Sequence, residues 1–183
     1  MKKCGKDTIE KIIKLEKEMF IRVPTRNNPP CREDIEAFKI HRKSQFSVWS
    51  EKTCQSYMKD LIEAEFKGDN LMTLKYARMD NLILSPSGNV LIGRIISQFI
   101  EWQKEVIDEY PNVMKGARDI DGFAKYLKAE MQTYSDKTIE YLWGDVKSYI
   151  KEGSNMSLEL YKALANLAGY KTLKDMESAL KSK

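Results

Sequence analysis

The chain has 183 residues, of which 32% are charged and 42% hydrophobic, and its net charge is +4 with both signs mixed along the sequence. This length suits a single domain, residues 1–183, with a buried core. The charge is too small and too dispersed for the basic face of a nucleic-acid-binding protein, so we expect no nucleic-acid partner. The most apolar run, residues 90–100, is too short to span a bilayer, so we expect no membrane association.

The three cysteines are Cys4, Cys31 and Cys54, and no CxxC pair occurs. An odd number without such a pair does not build a disulfide framework and fits a reducing compartment. The N-terminus has no apolar core after its lysines and is therefore not a signal peptide. We expect a cytoplasmic protein. Cys31 follows two prolines at a predicted helix start. Two roles stay open for its side chain, a reactive thiolate or a packing residue.

Apolar residues recur every three or four positions along the chain, which predicts helices throughout, and no segment alternates as a strand does. The first helix begins at Asp7, carries one apolar stripe that includes Glu16, and ends before Pro24. The further predicted helices are residues 33–48, 51–67, 71–81, 89–110, 120–134, 135–152, 155–168 and 173–181. Asn70 and Asn155 are each expected to cap a helix.

An internal repeat relates residues 34–76 to residues 119–161 at an offset of 85 positions without a gap. The eleven identical pairs are Asp34/Asp119, Ile35/Ile120, Phe38/Phe123, Lys43/Lys128, Ser50/Ser135, Lys52/Lys137, Thr53/Thr138, Asp60/Asp145, Gly68/Gly153, Asn70/Asn155 and Tyr76/Tyr161. Repeats of this length indicate duplicated supersecondary units. The repeat predicts an all-α fold of two tandem four-helix units, about 7–83 and 89–168, related by a pseudo-twofold axis. A short C-terminal helix, 172–182, follows.

A polar set lies on a helical face that should be buried. Arg42, Gln45 and Trp49 share one face of the second helix, and an inward guanidinium must meet a partner or a ligand. The repeat pairs Gln45 with Glu130 and Trp49 with Tyr134, so these equivalents could face each other across the axis. Two interpretations stay open: an internal Arg–Glu pair that docks the halves, and a ligand pocket.

The pocket interpretation predicts one cavity between the halves. The predicted lining residues are Arg42, Gln45, Trp49, Lys75, Tyr76, Glu130 and Tyr134. Two cations, one carboxylate and aromatic walls would suit a small anionic or zwitterionic ligand.

Other chemistry has little support in the sequence. The single histidine, His41, has no second metal-ligating residue at helical spacing, so we expect no metal site. Glycine-rich phosphate loops are absent from the sequence, and it assigns no cofactor. A Cys–His pair through Cys31 or Cys54 has no supporting motif.

Several short motifs together resemble a known family. They are MF at 19–20, Cys31, Arg42 with SQF at 44–46, Trp49, SY at 56–57, DL at 60–61, NL at 70–71, KYARM at 75–79, YP at 110–111, Tyr126-Leu-x-x-Glu130, TYS at 133–135 and GY at 169–170. As a set, over residues 9–179, they resemble the bacterial "domain of unknown function 4125" family. The resemblance implies a bacterial cytoplasmic protein and brings no activity.

The sequence departs from that family's pattern at three places. They are Asp69, where Arg is usual, Asp80, where Met is usual, and Lys128–Ala129, where Arg-Gly is usual. If these positions line the site, the resemblance implies a different ligand here.

Three functional hypotheses follow. The first is a small-ligand-binding helical domain, and the second is an interaction or regulatory module that docks a protein partner. The third is an enzyme that uses Glu130 as acid/base with Arg42 and Lys75 holding an anion. A closed pocket favours the first, a large flat apolar patch the second, and an acid with a raised pKa the third. Whether the chain is an enzyme stays open at this point.

Overall fold

The computed structural model describes residues 1–24, 34–86 and 88–181, and these residues form nine helices and no strand. The helices are α1 (Lys6–Ile21), α2 (Ile35–Ser47), α3 (Glu51–Lys67), α4 (Leu71–Met79), α5 (Val90–Glu109), α6 (Ile120–Met131), α7 (Asp136–Lys151), α8 (Met156–Leu167) and α9 (Leu173–Lys181). The all-α prediction is therefore confirmed. Cys31 lies outside the described residues.

Side-chain caps set the helix starts in both halves of the chain. Ser50, Asn70 and Asn155 each accept a hydrogen bond from the backbone N–H three residues on, as the caps of α3, α4 and α8. The predicted caps at Asn70 and Asn155 are confirmed. Gly68 ends α3 with φ of 76°, a left-handed conformation that favours glycine.

α1 starts one residue before the predicted Asp7, and no side-chain cap defines this start. α1 begins at Lys6, and the Glu51 carboxylate of α3 accepts from the Gly5 N–H at 2.6 Å and from the Thr8 hydroxyl at 2.8 Å. The end of α4 is also earlier than predicted. Asn81 has a φ of 56°, which closes the turn just after Met79.

The helices pack within each half of the chain and also against helices of the other half. α1 packs on α2, α3 and α4, and α5 packs on α6, α7 and α8. α3 and α7 pack on each other, while α2 packs on α8 and α4 packs on α6. One hydrophobic core accordingly takes buried side chains from both halves. α9 packs on α8, and its Glu177 carboxylate accepts from the N–H groups of Asn112 and Val113.

Reciprocal contacts join the halves. The Asp145 carboxylate on α7 accepts from Ser50 N–H at 2.8 Å and from the Thr53 hydroxyl at 2.7 Å. The counterpart set is Asp60 with Ser135 N–H at 3.0 Å and the Thr138 hydroxyl at 2.6 Å. We call each aspartate with its serine and threonine partners a clamp, and the two clamps correspond residue by residue under the 85-residue offset. The duplication with its pseudo-twofold axis, and the limits of the two units, stay predictions that a superposition of residues 34–76 and 119–161 would test.

Candidate functional site

Arg42 of α2 is the centre of a buried ionic network. Its side chain is 4% exposed, and the Glu16 side chain of α1 is fully buried beside it. Nε of Arg42 donates to Glu16 Oε2 at 2.7 Å, and Nη2 donates to Glu16 Oε1. Nη1 donates to Glu130 Oε1 at 2.9 Å. The guanidinium therefore grips Glu16 with two parallel hydrogen bonds, which is the contact expected for a ligand carboxylate.

Glu130 of α6 accepts four hydrogen bonds in the network, including the one from Arg42. Its Oε1 also accepts from Gln45 Nε2 at 3.1 Å and from the Tyr134 hydroxyl at 2.6 Å. Its Oε2 accepts from Lys75 Nζ at 2.9 Å. The expected approach of Arg42 and Gln45 to Glu130 is confirmed. The network holds two cations and two carboxylates, so its net charge is zero.

Glu16 is the functional residue that the sequence reasoning missed. Its spacing places it on the apolar stripe of the first helix, on the same face as Ile12, Ile13 and Met19. A carboxylate on such a stripe is itself a signal, because a buried charge requires a partner. Tyr57 of α3 completes its surroundings by donating to Glu16 Oε1 at 2.7 Å.

The network holds Glu130 in its ionised form. Burial alone would raise the pKa of Glu130, but the charges of Arg42 and Lys75 outweigh burial and hold that pKa well below its usual range. Burial and the neighbouring Glu130 carboxylate raise the pKa of the Tyr134 hydroxyl. A general base works best with a pKa near the operating pH. Glu130 is therefore poorly suited to the acid/base role that the enzyme hypothesis gave it.

The variant Glu130→Gln tests this ionisation state. Because the pKa of Glu130 is lower in the folded chain than in the unfolded chain, ionisation stabilises the fold above the ordinary carboxyl pKa of about 4.3, and the stabilisation is lost as the pH falls through the folded-state pKa. The melting temperature of the wild type should exceed that of Glu130→Gln by a constant margin above about pH 6, and the margin should narrow below about pH 4.

Thermal unfolding followed by circular dichroism measures this margin. Glu140→Gln removes an exposed carboxylate of α7 and serves as the control, with a small difference from the wild type at every pH. A Glu130→Gln margin that stays constant or widens on acidification would show that Glu130 is not held ionised.

A cavity of about 250 Å³ lies against one side of the network. Five of the predicted site residues line it, namely Arg42, Gln45, Trp49, Glu130 and Tyr134. Six lining side chains are aromatic: Trp49, Phe99, Phe123, Tyr126, Tyr134 and Tyr161. The aliphatic lining includes Leu127, Met131, Leu142, Met156 and Leu160. The walls come from both halves of the chain and are mainly apolar.

Lys75 and Tyr76 do not line this cavity, so the prediction was wrong for these two residues. They line a second cavity, of about 300 Å³, on the other side of Arg42. Helix α4, which carries Lys75 and Tyr76, packs on α6, whereas helix α8 packs on α2. The walls of the first cavity therefore include residues of α8 and none of α4. The positions of α8 that correspond to Lys75 and Tyr76 are Leu160 and Tyr161, and both line the first cavity.

Under the predicted repeat, apolar residues of the second half take positions that carry charges in the first half. Asn70 Nδ2 donates to Met19 O, and Asn155 Nδ2 donates to Trp102 O, which aligns α1 with α5 at an offset of 83. At this offset Glu16 corresponds to Phe99, and at the offset of 85 positions Arg42 and Lys75 correspond to Leu127 and Leu160. Leu side chains are shorter than those of Arg and Lys, so they leave space where the other half places an ionic network.

Other candidate chemistry is weak in the described part of the chain. No cluster of three metal-ligating side chains occurs among the described residues, and His41 lies exposed at the cavity edge. Cys54 is buried and its pKa is raised, first by a hydrogen bond with Cys4 and then by burial, which makes it a poor nucleophile. The positions that depart from the family pattern, including Asp69 and Asp80, do not line the cavity.

The fold and site together define an all-helical domain with an apolar cavity beside a buried, neutral ionic network. The chain belongs to the family described as "Protein of unknown function (DUF4125)", which it matches over residues 6–178. No curated protein matches the chain. No solved structure matches it either. Within the described ranges, none of the helices is both long and apolar enough to cross a bilayer.

Proposed function

We propose that the chain binds a small molecule in the cavity between its two halves. The observation that carries this proposal is the cavity itself, about 250 Å³ in volume and lined by six aromatic side chains. Protein interiors are close-packed and leave few voids larger than a water molecule. An engineered apolar cavity of about 150 Å³ binds benzene, so this one has space for a molecule of two fused rings.

The buried network gives the cavity one rigid wall. The Trp49 and Tyr134 rings, 6.0 Å apart, both contact Tyr57, and Tyr57 and Tyr134 are each hydrogen-bonded to a network carboxylate. Side chains held in this way are ordered before a ligand arrives, which reduces the entropy that binding must overcome.

A protein-interaction role has a separate observation in its favour. Leu82, Leu84 and Val90, in the segment that joins the halves and at the start of α5, are 75%, 95% and 77% exposed. Exposed apolar side chains in one segment are typical of docking sites when they form a contiguous patch. The cavity between the halves is the stronger feature, so ligand binding is the function we propose first.

Filling the cavity tests the proposal. Leu160→Trp adds a large ring at a half-buried lining position of α8, whereas Leu167→Trp makes the same change at an exposed position of the same helix. Three naphthalene probes of nearly equal shape sample different polar groups: 2-naphthamide, 2-naphthoate and the methyl ketone 2-acetonaphthone. At least one probe should bind the wild type and Leu167→Trp with a 1:1 stoichiometry in isothermal titration calorimetry.

Leu160→Trp should weaken that binding by about tenfold or more, because its indole occupies the space of the ligand. Melting curves without probe establish that each variant is folded. Failure of all three probes to bind the wild type, or equal binding to Leu160→Trp, would contradict the proposed function.

A further inference from the structure

We infer that the cavity selects an uncharged, planar aromatic molecule whose edge carries a hydrogen-bond acceptor beside a donor, as an aromatic carboxamide or a lactam ring does. This inference rests on the proposed ligand binding and names the class of ligand. It differs from the anionic or zwitterionic ligand that the sequence predicted, and two independent observations carry it.

The first observation is that no charge in the network is left for a ligand. Arg42 uses all three of its nitrogens within the chain, on Glu16, Glu130 and Gln45, and Lys75 is paired with Glu130. A carboxylate ligand would therefore enter a mainly apolar space beside a network of zero net charge. Burial of an ionised group without a countercharge is costly, so a neutral ligand is favoured.

The second observation is a pair of buried residues, each with one polar side-chain atom that has no hydrogen-bond partner in the described part of the chain. Trp49 is 3% exposed and Gln103 is 1% exposed, and both side chains line the cavity. Within the described residues, Trp49 Nε1 donates no hydrogen bond and Gln103 Oε1 accepts none, yet neither atom is sealed off from open space. Both residues line the cavity, so a ligand with one acceptor and one donor can satisfy the indole N–H and the amide oxygen.

The orientation of the Gln103 amide follows from its other contacts. Nε2 donates to the Tyr161 hydroxyl at 3.2 Å and lies 3.5 Å from the Ala117 carbonyl oxygen. Because a carbonyl only accepts, the nitrogen must be the atom on that side. The amide oxygen is thus the atom left to accept from a ligand, while the Trp49 indole supplies the donor.

The aromatic walls determine the shape of the ligand. Phe99 and Phe123 line the cavity with Trp49, and planar ligands pack against such rings by stacking or edge contacts. The ligand class therefore combines a flat ring system, which the walls contact, with one carbonyl for Trp49 and one N–H for Gln103.

The three naphthalene probes test the inference, because they differ only in the polar group. 2-Naphthamide is neutral and has both an acceptor and a donor, 2-acetonaphthone is neutral with an acceptor alone, and 2-naphthoate is an anion. Calorimetry with the wild type should give a dissociation constant for the amide about tenfold lower than that of the ketone. The naphthoate should bind weakest of the three.

Two variants assign the partner atoms. Gln103→Met removes the acceptor, so it should weaken binding of the amide about tenfold and leave binding of the ketone unchanged. Trp49→Phe removes the indole N–H but keeps an aromatic ring, so it should weaken binding of the amide and of the ketone to a similar extent. Melting curves show whether each variant folds, and the wild-type ranking of the probes decides the ligand class without either variant.

The outcomes separate the inference from the proposed function. Naphthoate binding as tightly as the amide, or an amide no tighter than the ketone, would overturn the inferred ligand class while leaving ligand binding intact. Absence of binding by all three probes would overturn both.

Discussion

Arg42→Met should lower the free energy of unfolding by about 3–5 kcal/mol, the usual result of removing one partner from a buried ion pair. The variant leaves Glu16 and Glu130 facing Lys75 alone, so the buried network changes from a net charge of zero to −1. Glu16 is the more affected carboxylate, because both of its oxygens bond to Arg42. Urea unfolding followed by circular dichroism measures the loss.

A second substitution should recover much of that loss. Arg42→Met/Glu16→Gln returns the buried network to zero charge, with Lys75 and Glu130 still paired, and should be at least about 2 kcal/mol more stable than Arg42→Met. The matched control is Arg22→Met. Arg22 also grips a glutamate, Glu65, with hydrogen bonds of 2.9 and 2.6 Å, but both side chains are about half exposed.

Because exposed ion pairs contribute little to stability, Arg22→Met should be nearly neutral. If Arg42→Met were no more harmful than Arg22→Met, or if Glu16→Gln gave no recovery, the network would not stabilise the fold.

Asp145→Ala should lower the free energy of unfolding by about 2–4 kcal/mol. The carboxylate is 4% exposed and accepts hydrogen bonds from Ser50 and Thr53 in the other half of the chain. Hydrogen bonds to a charged group contribute about 1.5–3 kcal/mol each, and the Ser50 N–H would be left buried without a partner. Chemical denaturation of the purified variant provides the measurement.

The corresponding variant on the other side provides an internal comparison. Asp60→Ala removes the reciprocal clamp, but Asp60 is only half-buried, so its loss should be smaller than that of Asp145→Ala. Asp69→Ala, at an exposed position after α3, should change stability by less than about 0.5 kcal/mol. Equal values for Asp145→Ala and Asp69→Ala would show that the clamp does not hold the halves together.

Local features of the fold followed directly from the sequence. Helix caps such as Asn70 and Asn155 depend on contacts within four residues, so the pattern predicts them well. The predicted repeat gave the expectation that Gln45 lies near Glu130, and the two side chains are hydrogen-bonded at 3.1 Å, while the twofold axis itself stays a prediction.

Features that depend on long-range packing were missed. Glu16 meets Arg42 across 26 residues of sequence, and periodicity on α1 gives no information about which helix covers its stripe. Lys75 and Tyr76 line the second cavity instead of the first, because α4 packs on α6 and α8 packs on α2. Which helices meet across the two halves depends on tertiary packing, and the spacing of residues along one helix does not show it. The unpartnered atoms of Trp49 and Gln103 likewise become visible only when several helices are in place.

The most direct measurement of ligand binding is a crystal structure of the wild-type chain with 2-naphthamide at saturating concentration. We expect density for a two-ring molecule between the halves, stacked on the aromatic lining residues. Its carboxamide should lie within hydrogen-bond distance of Trp49 Nε1 and Gln103 Oε1. A cavity that holds only water at that concentration, or a probe bound elsewhere on the surface, would contradict this expectation.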